Sequence, residues 1–165
     1  MNNNVVETFG NRIRVRACGI YVENERVLMV GHEGLIENQL YWSPPGGGIR
    51  FGENAAQAVA REIWEECGLE AIVGSFMFLK EFIDGPLHAM ELYFHIISLG
   101  RASVKPGHDP ELPINQQVIS DVRFMTLDEI RSLPGSAVDS FFHSIPSLSY
   151  LCDGNNWSSI QKAIF

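Results

Sequence analysis

The stretch GGGIRFGENAAQAVAREIWEECGLE, Gly46 to Glu70, constrains this chain more than any other. Three glycines in a row let the backbone turn sharply and approach other groups closely. Asn54, with Gln57 three residues later, spells the capping box that starts a helix. Gly68 suits the left-handed position that ends one, with Leu69 able to pack back. Successive helical residues turn by about 100°, so Ala56, Val59, Ala60, Ile63 and Cys67 share an apolar stripe. Glu62, Glu65 and Glu66 share a second stripe on another side. The sequence predicts a helix that buries the first stripe against a sheet and turns the second into a cleft.

Carboxylates at helical spacing repel one another, and Arg61, four residues before Glu65, is the one base placed to relieve them. The usual fate of an acidic stripe is a solvated face. Here no lysine interrupts the acids, and the preceding glycine loop can bring backbone carbonyls to the same place. Carboxylates and carbonyl oxygens together suit hard cations such as Mg²⁺ or Mn²⁺. Their mutual repulsion then becomes the reason an ion binds.

At full length the pattern is Gly47, five residues, Glu53, seven residues, then Arg61-Glu62-Ile63-Trp64-Glu65-Glu66-Cys67-Gly68-Leu69. This resembles the Nudix box, G-x5-E-x7-R-E-U-x-E-E-x-G-U with U a bulky apolar residue, and every specified position is filled. WSPPGG, Trp42 to Gly47, is similar to the family's W-x-x-P-G-G approach to the box, although Ser43-Pro44 departs from its usual apolar residue. VRFMTLDEI, Val122 to Ile130, resembles the strand and short helix that close the domain. The resemblance spans residues 12 to 132. It implies the Nudix fold, an α/β architecture with a mixed β-sheet sandwiched between α-helices. It also implies an Mg²⁺- or Mn²⁺-dependent pyrophosphohydrolase that cuts a nucleoside diphosphate linked to another moiety.

Carried over residue by residue, the resemblance makes Glu62, Glu65 and Glu66 metal ligands, with Glu66 bridging ions and the Gly47 carbonyl completing the shell. Arg61 would orient a box glutamate. Glu53 would hold Arg61 or the junction of loop and helix. The chemistry is consistent: a diphosphate must be screened, and dications bridge its oxygens, activate water and stabilise the departing phosphate. The protein then contributes positioning and electrostatics. The general base is assigned first to Glu111 in HDPELP, on a loop able to close over substrate. Glu91, Asp109 and a box glutamate are the alternatives. Pro86 stands near, but not at, the position where a proline marks ADP-ribose hydrolases of the family, which leaves the substrate open.

The remainder of the chain reads as one domain over 1–165, with a core at 12–132 and a helical extension at 133–165. RIRVRACGIYV and RVLMVGH form a hairpin, EGLIENQ a polar loop, and LYWSPPGGG a segment its prolines and glycines bar from helix. EAIVGSFMFLKEFI and HAMELYFHIISL are long strands joined by the turn DGPL. Residues 100–117 form the longest loop, and loops of that length are often functional. VISDVRFMTL follows as a strand and TLDEIRSL as a short helix. The chain closes on an amphipathic helix with Trp157, Ile160 and Ile164 on one side. The aromatic tail, including Phe141, Phe142 and Tyr150, reads as core or as a homodimer interface. Trp42 and Tyr41 either stack on a base or pack the loop on the sheet.

A net charge of −8 disfavours nucleic-acid backbones as partners. Three scattered cysteines, Cys18, Cys67 and Cys152, suit reduced thiols in the cytoplasm better than a disulfide framework. No apolar run is long enough to span a membrane, and the first residues lack a secretory signal. GGGIRFG lacks the GK[ST] of a P-loop and the third glycine of a dinucleotide turn. Two other functions compete. A ligand-sensing domain with this fold would carry a degraded box and a DNA-binding extension. An isomerase would need further cysteine and acid motifs.

Overall fold

The computed structural model describes residues 3–36, 38–101, 103–107 and 117–163. In chain order the elements are α1 (Asn3–Phe9), β1 (Arg12–Ile20), β2 (Val22–Glu23), β3 (Arg26–Ile36), β4 (Gln39–Ser43) and β5 (Gly46–Gly48). Then come α2 (Ala55–Cys67), β6 (Ala71–Asp84), β7 (Leu87–Leu99) and β8 (Ile119–Met125). Four short helices follow, α3 (Leu127–Arg131), α4 (Phe141–Ser144), α5 (Ser149–Cys152) and α6 (Trp157–Ala163).

The β-branched, alternating runs fold as two four-stranded sheets. One is mixed, in the order β5-β1-β7-β6, with β1 and β7 parallel and the other pairs antiparallel. The second is antiparallel and centred on β3, which pairs with β2, β4 and β8, so the expected hairpin of RIRVRACGIYV with RVLMVGH is confined to Val22 and Glu23, and β1 itself pairs in the other sheet. Helix α2 packs on one side, burying Val59 and Ile63 in a cluster with Ala17, Val30 and Ile96. Gly19 of β1 permits this approach, because a Cβ there would sit 2.9 Å from both Val59 and Ile63 side chains. The C-terminal helices pack on the other side, where Phe78, Tyr93, Phe141 and Phe142 form a stacked and edge-on aromatic group. This is the α/β sandwich expected from the sequence.

Local details differ from the sequence reading. The buried arc of α2 is rotated: Ala58 is wholly buried, whereas Ala56 and Ala60 are half-buried. The helix faces β1 and β5 together, so its contact surface includes Glu62 and Glu66 beside the apolar stripe. The segment read as the loop EGLIENQ is shorter. Strand β3 runs to Ile36 and β4 begins at Gln39, with Asn38 at φ 59° between them. Gly46–Gly48 is a strand, pairing with Arg16, Ala17 and Cys18 of β1. A Cβ at Gly46 would lie 2.6 Å from Cys18 Cα, so glycine is what lets β5 press against β1. Helix α1 has no counterpart in the sequence reading.

The tail lies inside the chain's own core: Phe141, Phe142 and Leu151 have no exposed surface, and Ile160 is buried. Ile164 lies outside the described residues. The side-chain amide of Gln161 pairs with both the N–H and C=O of Leu79 at 2.7 Å, which ties α6 to the edge of β6. Trp42 is buried, with the Arg123 guanidinium 4.7 Å from its ring, so it packs the sheet rather than offering an open face. Among the described residues no helix is long and apolar enough to cross a membrane.

Phe141 contacts three aromatic rings and has no exposed surface. Phe141→Ala is expected to cost about 3–5 kcal/mol of stability, read as a lower urea midpoint at unchanged slope.

Candidate active site

Helix α2 begins as its sequence dictates. Asn54 Oδ1 accepts from Gln57 N–H, and Gln57 Oε1 accepts from Asn54 N–H, both at 2.9 Å. It ends at Gly68, left-handed at φ 70°, whose N–H donates to the Trp64 carbonyl at 3.0 Å. These caps fix the helix in register, and register places the glutamates on the side facing the β5 loop.

Arg61 is the hub of that side. Its guanidinium donates to Glu53 at 2.6 and 3.1 Å, Glu62 at 2.6 Å, Glu65 at 2.9 Å and the Gly48 carbonyl at 2.9 Å. Glu53, in turn, accepts the Arg50 N–H at 2.7 Å, which pins the loop to the helix start. The Arg61 contact and the Arg50 N–H hold the Glu53 carboxyl below its ordinary range, with slight burial opposing them. Glu66 is buried and accepts the Gly46 N–H at 2.9 Å, so the glycine strand and the helix share a carboxylate. Glu65 takes a second guanidinium, Arg50, at 3.2 and 3.4 Å. The structure thus gathers Gly47, Glu53, Arg61, Glu62, Glu65 and Glu66 in one place. Glu62 and Glu66 are 7% and 6% exposed, which sets this acidic stripe apart from a solvated face.

Oxygen donors alone suit Mg²⁺ or Mn²⁺. Gly47 fits that role for a steric reason: a Cβ there would overlap the Glu62 carboxylate, so backbone and carboxylate can meet only at glycine. Among the described residues, however, no three acidic, histidine or cysteine side chains converge on one point. The glutamate oxygens face Arg61, Arg50 and the Gly46 N–H instead. Glu53, Glu62 and Glu65 meet the Arg61 guanidinium, and Glu66 meets the glycine strand at the Gly46 N–H, so carboxylate oxygens and the backbone of β5 stand side by side.

A second polar cluster lies behind the glycine strand. Arg16 Nη2 donates to the Gly46 carbonyl and Nη1 to Glu91, each at 2.9 Å. Lys80 donates to Glu91 at 3.1 Å and pairs with Asp139 at 2.9 Å. The Tyr93 hydroxyl donates to Asp139 and, at 3.3 Å, to Glu91. Burial alone would raise the Glu91 carboxyl, but Arg16 and Lys80 outweigh it and hold the group below its usual range. Asp139 is raised, because its burial outweighs the attraction of Lys80. Both Glu91 oxygens are therefore engaged by cations, which ill suits the alternative of Glu91 as general base. His32 donates or accepts at Ser43 Oγ, 3.2 Å away, and burial with Arg16 nearby pushes it down to about 3. Burial raises the Cys18 and Cys67 thiols, which leaves both as unreactive core groups.

The sequence reading missed Arg16, Lys80, Tyr93 and Asp139. The available signal was charge inside apolar strands, as with the lysine of SFMFLKEF. Glu111 and Asp109 lie outside the described residues. The start of their loop is described: Gly107 N–H donates to the Glu66 carbonyl at 2.8 Å, against the end of α2.

A family model for the NUDIX domain matches residues 10–145. The chain belongs to the NUDIX family. Phosphatase NudJ of Escherichia coli K12 is 25% identical over 96 residues, which cover 58% of this chain and 61% of that protein. The chain thus spans about 61% of the length of the curated relative it matches. The NUDIX fold is shared with the MutT protein of Methanosarcina mazei Go1, at TM-score 0.64 and 16% identity over 93% of this chain and 96% of that one. It is shared too with the MutT NUDIX hydrolase of Burkholderia pseudomallei, at TM-score 0.60 and 22% identity over 74% and 88%.

Removing the Lys80 charge leaves Glu91 and Asp139 buried and undercompensated. Lys80→Met is expected to cost about 3–5 kcal/mol, measured by denaturant unfolding. Glu53 gives a pH signature. Its folded pKa lies below the ordinary 4.5, so its contribution is complete above that value and disappears as pH falls through the folded one. Glu53→Gln is therefore expected to be less stable than wild type at pH 7, with the gap closing below about pH 4.5. Thermal unfolding of the pair across pH 3–7 checks this.

Proposed function

We propose that this NUDIX protein is a dication-dependent pyrophosphohydrolase that cleaves the diphosphate of a nucleoside diphosphate linked to another moiety. The observation that carries the reading is the pair of buried carboxylates, Glu62 and Glu66, set directly against the glycine backbone of β5. The filled Nudix box and the phosphatase name of the NudJ relative support it.

The proposed ligands are Glu62, Glu65, Glu66 and the Gly47 carbonyl, for Mg²⁺ or Mn²⁺. Bound dications would supply charge screening of the diphosphate and a water of lowered pKa. The chain's own contribution is geometric. Arg61 aligns Glu62 and Glu65, Glu53 fixes Arg61, and Gly46 fixes Glu66 through its N–H. Arg16 holds that glycine from behind through its carbonyl. Glu111 is the proposed base, from the sequence alone. Domain 1–165, a cytoplasmic location and a homodimer belong to the same proposal.

The test is a panel of ADP-ribose, dinucleoside polyphosphates, NADH, deoxynucleoside triphosphates and nucleotide sugars with Mg²⁺ or Mn²⁺, scored for phosphate products. Glu65→Gln and Glu66→Gln are each expected to lower kcat by at least about 100-fold while the far-UV spectrum stays native. Wild-type rates in both variants would overturn the assignment.

A further inference from the structure

Arg50 and Arg61 hold the same glutamate in different ways. Arg61 is 17% exposed and makes five contacts at 2.6 to 3.1 Å, one of them to a backbone carbonyl. Arg50 has a 42% exposed side chain and reaches both Glu65 oxygens at 3.2 and 3.4 Å, the long end of hydrogen bonding. Its backbone is anchored independently, by the N–H bond to Glu53, so its side chain can move without disturbing the loop.

Glu65 Oε1 faces Arg50 and Oε2 faces both arginines. A cation that takes Glu65 as a ligand needs one of those oxygens, so a guanidinium must yield. The exposed, long pair is the weaker of the two, worth little in water. Once displaced, the Arg50 guanidinium remains on the rim of the same cluster. A guanidinium matches phosphate oxygens as well as it matches carboxylate.

We propose that Arg50 is a diphosphate-binding residue with two successive partners. It neutralises Glu65 before a dication arrives, gives way to the dication, and then takes an oxygen of the bound diphosphate. This rests on the dication-dependent reading of the site given above. It assigns opposite signs to the two binding steps: removing Arg50 favours the metal and disfavours the diphosphate. A residue that merely stabilises the loop would weaken both.

The experiment uses the full chain and two probes, Mn²⁺ alone, followed by the paramagnetic signal of the free ion, and then the non-hydrolysable methylenediphosphonate added to Mn²⁺-loaded protein. Arg50→Ala is expected to bind Mn²⁺ about threefold more tightly than wild type and the diphosphonate about tenfold more weakly. Arg50→Lys, which keeps the charge but not the fork, is expected to fall between them in both. Lys105→Ala serves as a control for net charge, since it removes one positive charge from the loop at the other end of α2. Equal Mn²⁺ affinity in wild type and Arg50→Ala, equal tightening in Lys105→Ala, or unchanged diphosphonate binding would each overturn the proposal while leaving the metal reading intact. Wild type that binds no Mn²⁺ would overturn that reading, and this inference with it.

Discussion

The Arg61 guanidinium is the interaction on which the site depends. It touches the loop through Gly48 and Glu53 and the helix through Glu62 and Glu65. Without a cation at that point, the helix would carry three glutamates within one turn and a bit, against a strand with no room for a Cβ at Gly46 or Gly47. With it, the carboxylates are held apart in fixed directions. Two of those carboxylates, Glu62 and Glu66, are buried against the glycine backbone of β5.

Structural and functional demands meet in the glycine strand. Gly46 serves β-pairing with Cys18, donates its N–H to Glu66 and accepts from Arg16 through its carbonyl. The route runs on from Arg16 through Glu91 and Lys80 to Asp139, beside the C-terminal helices. The two cations and two anions of this route balance, so their mutual attraction offsets part of the desolvation cost of burying them. The C-terminal helices therefore contribute more than apolar cover: they bring the anion that completes the balance.

Local structure was legible because its causes are local. The capping box, the Gly68 terminus and the DGPL turn between β6 and β7 each need only residues a few positions apart. The glutamate cluster was legible for the same reason, since helical periodicity alone sets Glu62, Glu65 and Glu66 together. Where the reading erred, a tertiary contact decided. Ala58 rather than Ala56 is buried because α2 rests on β1 and β5 at once. Gly46–Gly48 is a strand because β1 offers a ladder that no local signal announces. Arg50 as a partner of Glu65 depends on how the loop folds back, fifteen residues along the chain.

The sequence by itself determined the helix, its caps and the acidic stripe, and with the box resemblance it determined the family, because these follow from spacing along one chain segment. Only the tertiary structure decided which cation meets which carboxylate. Arg16, Lys80, Glu91 and Asp139 come from four separate segments, and strand pairing with helix packing, not proximity in sequence, brings their charges within bonding distance.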